Sequence, residues 1–146
     1  MDVDAISSAI AARYAPAQVT PPATLTNVRV ATSDLPDELG PLPAVLVVPD
    51  SGSLAPGNGT RVGEHVWLVR FYLDRVGDLP RQMNVLRRWV GVLVDQHRTG
   101  MQLGGLVVYV RTIGWAIRIL PFQGSDYAGI ELRLAVGTVE AWAPSS

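Results

Sequence analysis

The sequence predicts an α+β domain: a mainly antiparallel or mixed sheet with two helices, the longer helix packed on one face of the sheet. Three observations support this. From Glu64 to Trp142 the apolar periodicity runs strand, helix, strand, strand. A glycine-bearing pivot, Leu103-Gly104-Gly105-Leu106-Val107, follows the helix, and Tyr127-Ala128-Gly129 opens the last strand. The 146 residues suffice for one core and are few for two, so residues 1–146 read as a single domain.

Val3, Ile6, Ile10 and Tyr14 fall at helical spacing behind Asp2 and Asp4, whose carboxylates can accept from the free amides of a first turn, so residues 3 to 14 are expected to be an amphipathic helix. Pro16, Pro21 and Pro22 end it. Leu25 to Ala31 alternates as a strand, Asp34 to Pro43 reads as a loop, and Ala44 to Val48 is a short apolar run bounded by prolines, as expected of a buried strand. Residues 49 to 62, with Pro49, Gly52, Pro56 and Gly57-Asn58-Gly59, predict a long mobile loop, either a partner-binding arm or a passive excursion.

His65, Trp67, Val69, Phe71 and Leu73 form one face of a strand, with Arg70, Tyr72 and Asp74 on the other. Asp78 caps a long helix with Pro80 in its first turn, and Met83, Leu86, Val90, Leu93, Val94 and His97 make its apolar stripe. Gly100, Gly104 and Gly105 close that segment. Leu106 to Leu120 reads as a strand interrupted at Gly114 by a bulge or bend, Pro121 to Tyr127 as a turn, and Ile130 to Val136 as an alternating strand paired antiparallel to it.

Composition narrows the function. The chain is 48% hydrophobic and 17% charged, which leaves more apolar surface than a small monomer easily hides and favours an oligomer, unless abundant Ala and Val inflate the count without forming a patch. Net charge is −1 with twelve arginines, no lysine and thirteen acids, so there is no basic excess to neutralise a run of phosphates and sequence-independent nucleic-acid binding is disfavoured. Cysteine is absent, which excludes disulfides and thiolate chemistry. No apolar run is long enough to span a bilayer, and the acidic start does not resemble a secretion signal, so no membrane partner is expected.

No catalytic, cofactor or metal residues are assigned. His65 and His97 lie on different predicted elements without short-spaced ligands; His97 sits near a helix end, where a cationic ring would suit the dipole, and a structural role is favoured for both. Ser51 and Ser53 lack a nucleophile-elbow context, Gly57-Asn58-Gly59 lacks phosphate-loop spacing, and no carboxylate pair has motif support. The four tryptophans, Trp67, Trp89, Trp115 and Trp142, allow core packing or interface anchoring. Trp67 reads as core. Trp89 lies at the edge of the helix stripe with Val85 and Val92 beyond it, and the subunit interface is expected on this flank or on the exposed part of the last strands.

An N-terminal helix, the Pro-bounded Leu42-Pro43-Ala44-Val45-Leu46-Val47 strand, a Gly-rich loop, the Trp67 to Leu73 strand, the helix after Asp78-Leu79-Pro80, the Leu103-Gly104-Gly105-Leu106-Val107 pivot and the strand from Tyr127-Ala128-Gly129 follow in order. Taken together they resemble the tail terminator (tail completion) proteins of long-tailed bacteriophages, over nearly the whole chain and through pattern rather than reactive groups. The resemblance implies a virion protein at the head-proximal end of the tail, assembled in the host cytoplasm. It implies a homo-hexameric ring that caps the tail tube protein, stops its polymerisation and docks the head-tail connector protein. DNA would be free to pass through the ring without specific binding. Contacts to the tube would come chiefly from the Asp50 to Arg61 segment and secondarily from Pro121 to Asp126, with Asp50, Arg61 and Asp126 as polar contacts, although for each one singly an ordinary solvated loop charge is the stronger reading. A head-to-tail adaptor or stopper ring, or a small-molecule-binding or hydrolytic α/β domain, are the competing readings.

Overall fold

A computed structural model of the chain describes residues 1–56, 60–97 and 102–141. Gly57-Asn58-Gly59, Gly100 and Trp142 lie outside the described residues. The fold is α+β, a mixed five-stranded sheet with two α-helices. Elements follow as α1 (Val3–Ala12), β1 (Val30–Thr32), β2 (Ala44–Pro56), β3 (Thr60–Arg75), α2 (Leu79–Asp95), a single 3-10 turn (Leu103–Gly105), β4 (Tyr109–Phe122) and β5 (Ser125–Ala141). The strand order is β1-β2-β3-β5-β4, with β1 parallel to β2 and every other neighbour antiparallel.

Helix α1 starts where expected, since the Asp2 carboxylate accepts from the Ala5 amide at 3.0 Å, and it buries Ile6, Ile10 and Ala11. It ends at Ala12, with Arg13 and Tyr14 continuing only as turn-type hydrogen bonds to Ile10 and Ala11. The expected strand at Leu25 to Ala31 shrinks to Val30–Thr32. Asn27 explains the loss. Its amide donates to the Pro16 and Val19 carbonyls at 3.0 and 3.2 Å, and its oxygen accepts from Val28 N, so side-chain bonds displace a ladder there.

The long loop expected at residues 49 to 62 is not a loop. Its described residues continue β2 and open β3, paired from Ser51↔Val66 to Pro56↔Arg61. Pro49 sits beside a register shift, where a missing amide donor costs little. The glycines are packing sites rather than turn residues: a Cβ at Gly52 would collide with the His65 ring, and one at Gly63 with His65 and Thr138. A histidine lying across three strands therefore requires both glycines.

On β3 the odd positions Trp67, Val69 and Phe71 are buried in the main core with β5 residues Ile130, Leu132, Leu134 and Val136, and with Ile6 and Ile10 of α1 and Leu86, Trp89 and Leu93 of α2. Trp67 Nε1 donates to Ser7 Oγ at 2.9 Å, so its one polar atom is satisfied inside that core. Among the described residues the other sheet face is covered only at one end, where Leu39, Leu46, Tyr72, Leu120 and Tyr127 form a smaller cluster. Burial keeps the Tyr72 phenol above its ordinary pKa, so it stays neutral.

Helix α2 begins at the expected cap, with the Asp78 carboxylate accepting from Arg81 N at 3.3 Å and Pro80 in the first turn. Its buried residues are Gln82, Leu86, Trp89 and Leu93. Gln82 is a polar residue with inward work: its amide donates to the Arg75 carbonyl at 2.6 Å and its oxygen accepts from Gly77 N at 3.1 Å. Once Gln82 counts as buried, the inward face centres nearer Trp89 than the apolar residues alone suggest. The bulge expected at Gly114 is present as a register shift between Thr112 and Gly114, and β4 pairs antiparallel with β5. The expected turn at Pro121 to Tyr127 is confined to Gln123 and Gly124, both at positive φ, because the strands run on to Phe122 and from Ser125.

Candidate interaction surfaces

The residues singled out from sequence do not converge on one site. Trp89 is fully buried and its ring centroid lies 4.7 Å from that of Phe71, so it is a core residue and not a surface anchor. Val85 and Val92 are half-buried and pack against the same core. Val85 and Trp89 also line a cleft of about 330 Å³ whose rim carries Arg29 and Arg81, with Asp74 beside Arg81 at 4.0 Å. Asp50 is exposed on β2 and Asp126 is exposed near the start of β5, at the opposite end of the sheet from Arg61. Arg61 is not free: it donates to Glu140 at 3.1 Å across the β3–β5 ladder, and the same carboxylate pairs with the Met1 amine. Those bonds, first from the amine and then from Arg61, hold the Glu140 carboxyl below its usual range.

Neither histidine is arranged for catalysis. His65 is buried with Nε2 hydrogen-bonded to Thr138 Oγ1 at 3.0 Å, and burial lowers its pKa against the opposing pull of Glu140. His97 is fully buried, with Nδ1 2.9 Å from Tyr14 Oη. Burial, with Arg13 adding to the cost of a second positive charge, lowers its pKa to about 4. The cationic ring expected at the helix end is thus replaced by a neutral one, because desolvation outweighs the dipole. Among the described residues no group of three or more His, Asp or Glu could hold a metal ion, and no helix is long and apolar enough to cross a membrane.

Exposed apolar side chains gather in two places, the first of them on the last strands that the sequence offered as the alternative to the Trp89 flank. The first is the outer edge of β4. Ile113, Trp115 and Ile119 are each more than half exposed, Trp115 at 55%. Beside them Leu79, Met83, Leu86, Ile117 and Ala128 line an apolar cleft of about 190 Å³ between α2 and this edge. The start of the edge is covered, since Thr112 N and Oγ1 donate to the His97 and Val94 carbonyls at the end of α2; from Gly114 onward β4 pairs with β5 alone among the described residues. The second place is the arm formed by the far halves of β2, β3 and β5. There Val62 and Val139 sit opposite one another, and both they and Leu54 are about half exposed.

Exposure on an edge strand was not legible because β4 reads as apolar at successive odd positions, the same signal a buried strand gives. Only the strand order shows that no further strand among the described residues lies beyond it. No protein-family model matches this chain, and no curated protein matches it.

Proposed function

We propose that this chain is a structural virion protein of the tail-terminator kind, which closes into a ring, caps a polymerising tail tube and presents a docking surface to the head connector. It acts sterically and turns over no substrate. The observation that carries this reading is the pair of dissimilar apolar surfaces, the β4 edge with its cleft and the β2–β3–β5 arm. A contact between two different patches is heterologous, so it repeats from copy to copy and must either close by rotation or grow as a filament. A capping protein needs the closed outcome. The β2–β3–β5 arm extends the sheet away from the α2 contacts, which suits an element that reaches a neighbouring ring.

In this reading the subunit contact moves from the Trp89 flank to Trp115 and Ile119, and tube contacts come from the arm bearing Asp50 and from the Asp126 end. The test is solution mass by sedimentation together with electron microscopy of tails. Wild type should sediment as a ring, and Trp115→Glu should sediment as a folded monomer that leaves tail length uncontrolled. A wild-type protein that stays monomeric at high concentration and forms no ring on tubes would sink the proposal.

A further inference from the structure

The net charge of −1 averages over a surface that the fold divides unequally. The register places Arg118 opposite Gly129, Arg70 opposite Glu131, Arg133 opposite Gly114 and Leu68, and Arg111 opposite Ala135. These are successive same-face rows of β5, at residues 129, 131, 133 and 135, on the sheet face that carries neither helix. Each row supplies one guanidinium, and rows along a strand are spaced by about 7 Å. The floor between them is low, since Gly114, Ala116 and Ala135 share the face.

The acids on this face do not cancel the arginines. Glu131 is shared by Arg70 at 3.2 Å and Arg118 at 3.8 Å. Arg133 and Arg111 have no carboxylate partner among the described residues, and Arg111 lies over the Tyr109 ring at 5.4 Å from its centroid. Glu64, opposite Gly137, is the other acid. Four arginines less two glutamates leave a local balance of +2. Asp37 and Glu38 lie with Arg75 at the covered end, beyond this field.

We propose that this open sheet face binds the sugar-phosphate backbone of double-stranded nucleic acid without reading its sequence. Guanidiniums in four successive rows of one open face suit a regularly charged polyanion, because arginine pairs with phosphate through two parallel bonds. A cleft of about 440 Å³ at the Arg111 end of the face is lined by Glu64, Val66, Tyr109 and Ala135, so an acidic peptide is the competing ligand that the experiment must separate. The inference goes beyond the ring-cap reading and needs no ring, so either can fail alone.

The experiment measures the affinity of the full chain for a short mixed-sequence DNA duplex by fluorescence anisotropy across a salt series. Engagement of all four arginines gives a slope of log affinity against log salt of about −3 to −4. Arg111→Gln/Arg133→Gln should flatten it by about 2 and weaken binding at least about tenfold at low salt. The same change at Arg29 and Arg87, exposed residues away from this face, should alter neither, and thermal melting confirms that each variant is folded. No binding at low salt, equal losses in both double variants, or displacement of DNA by polyglutamate at equal charge concentration would each overturn the proposal, the last in favour of an acidic protein partner.

Discussion

Acid should destabilise this protein in large part through the buried side chain of His97. The ring is fully buried between the ends of the two helices, bonded to Tyr14 Oη at 2.9 Å, while its Nε2 has no partner among the described residues. Arg13 is the charged group that bears on it; burial holds the Tyr14 phenol well above its ordinary pKa, so that partner stays neutral. The folded pKa of about 4 lies below the ordinary 6.5, so the unfolded chain binds more protons between those values. The stabilisation is therefore complete above pH 6.5 and is lost as pH falls through 4. At about 1.4 kcal/mol per pH unit, the gap is worth about 3 kcal/mol, a large share of a typical domain stability of about 5–15 kcal/mol. Denaturant unfolding at a series of pH values, comparing wild type with His97→Gln, isolates the effect, because every other side chain is common to both proteins. The wild-type advantage should shrink by about 3 kcal/mol between pH 7 and pH 4. Parallel stability curves for the two proteins would refute the reasoning.

Two other outcomes follow from packing. Trp89→Ala should cost about 3–5 kcal/mol in unfolding free energy, whereas Trp89→Phe should cost about 1 kcal/mol, because it also removes an indole N–H that has no partner; stability within error of wild type in Trp89→Ala would return this residue to the surface. Gly63→Ala should destabilise by about 1–3 kcal/mol through its collision with His65 and Thr138, and a His65→Ala background should relieve part of that cost, which a double-mutant cycle in thermal or denaturant melts reads directly.

Element order was legible because it rests on period and punctuation: Asp2 and Asp78 cap the helices, Gly114 marks a bulge, and the odd residues of β3 face the core. What failed did so where a residue type had two physical uses. Glycine and proline at 49–63 signalled a loop, yet Gly52 and Gly63 make room for a histidine ring and Pro49 stands at a bulge. Asn27 diverted a strand through bonds to residues 16 and 19 that no local pattern reveals. Gln82 hid half of the inward face of α2, which displaced Trp89 to an apparent edge. The arginine rows were invisible for a different reason. Arg70, Arg111, Arg118 and Arg133 come from three strands, and only their register aligns them.

The strongest argument for a partner is what β4 lacks. Open edge strands invite pairing with other chains, and proteins blunt them with charged side chains, prolines, bulges or a covering element. On β4 the covering element stops at Thr112, the bulge lies just after it, and Pro121 stands next to the end. The stretch between carries one charged side chain, Arg118, and presents Trp115 and Ile119 to water beside an apolar cleft. An edge left this way would aggregate a free monomer, so it is stable in solution only if another surface covers it. In the proposed ring the β2–β3–β5 arm, with its own half-exposed Leu54, Val62 and Val139, would be the surface that covers it. Joining edge to arm hides both at once and leaves one of each at the ends of any open chain of subunits, which is the condition that ring closure removes.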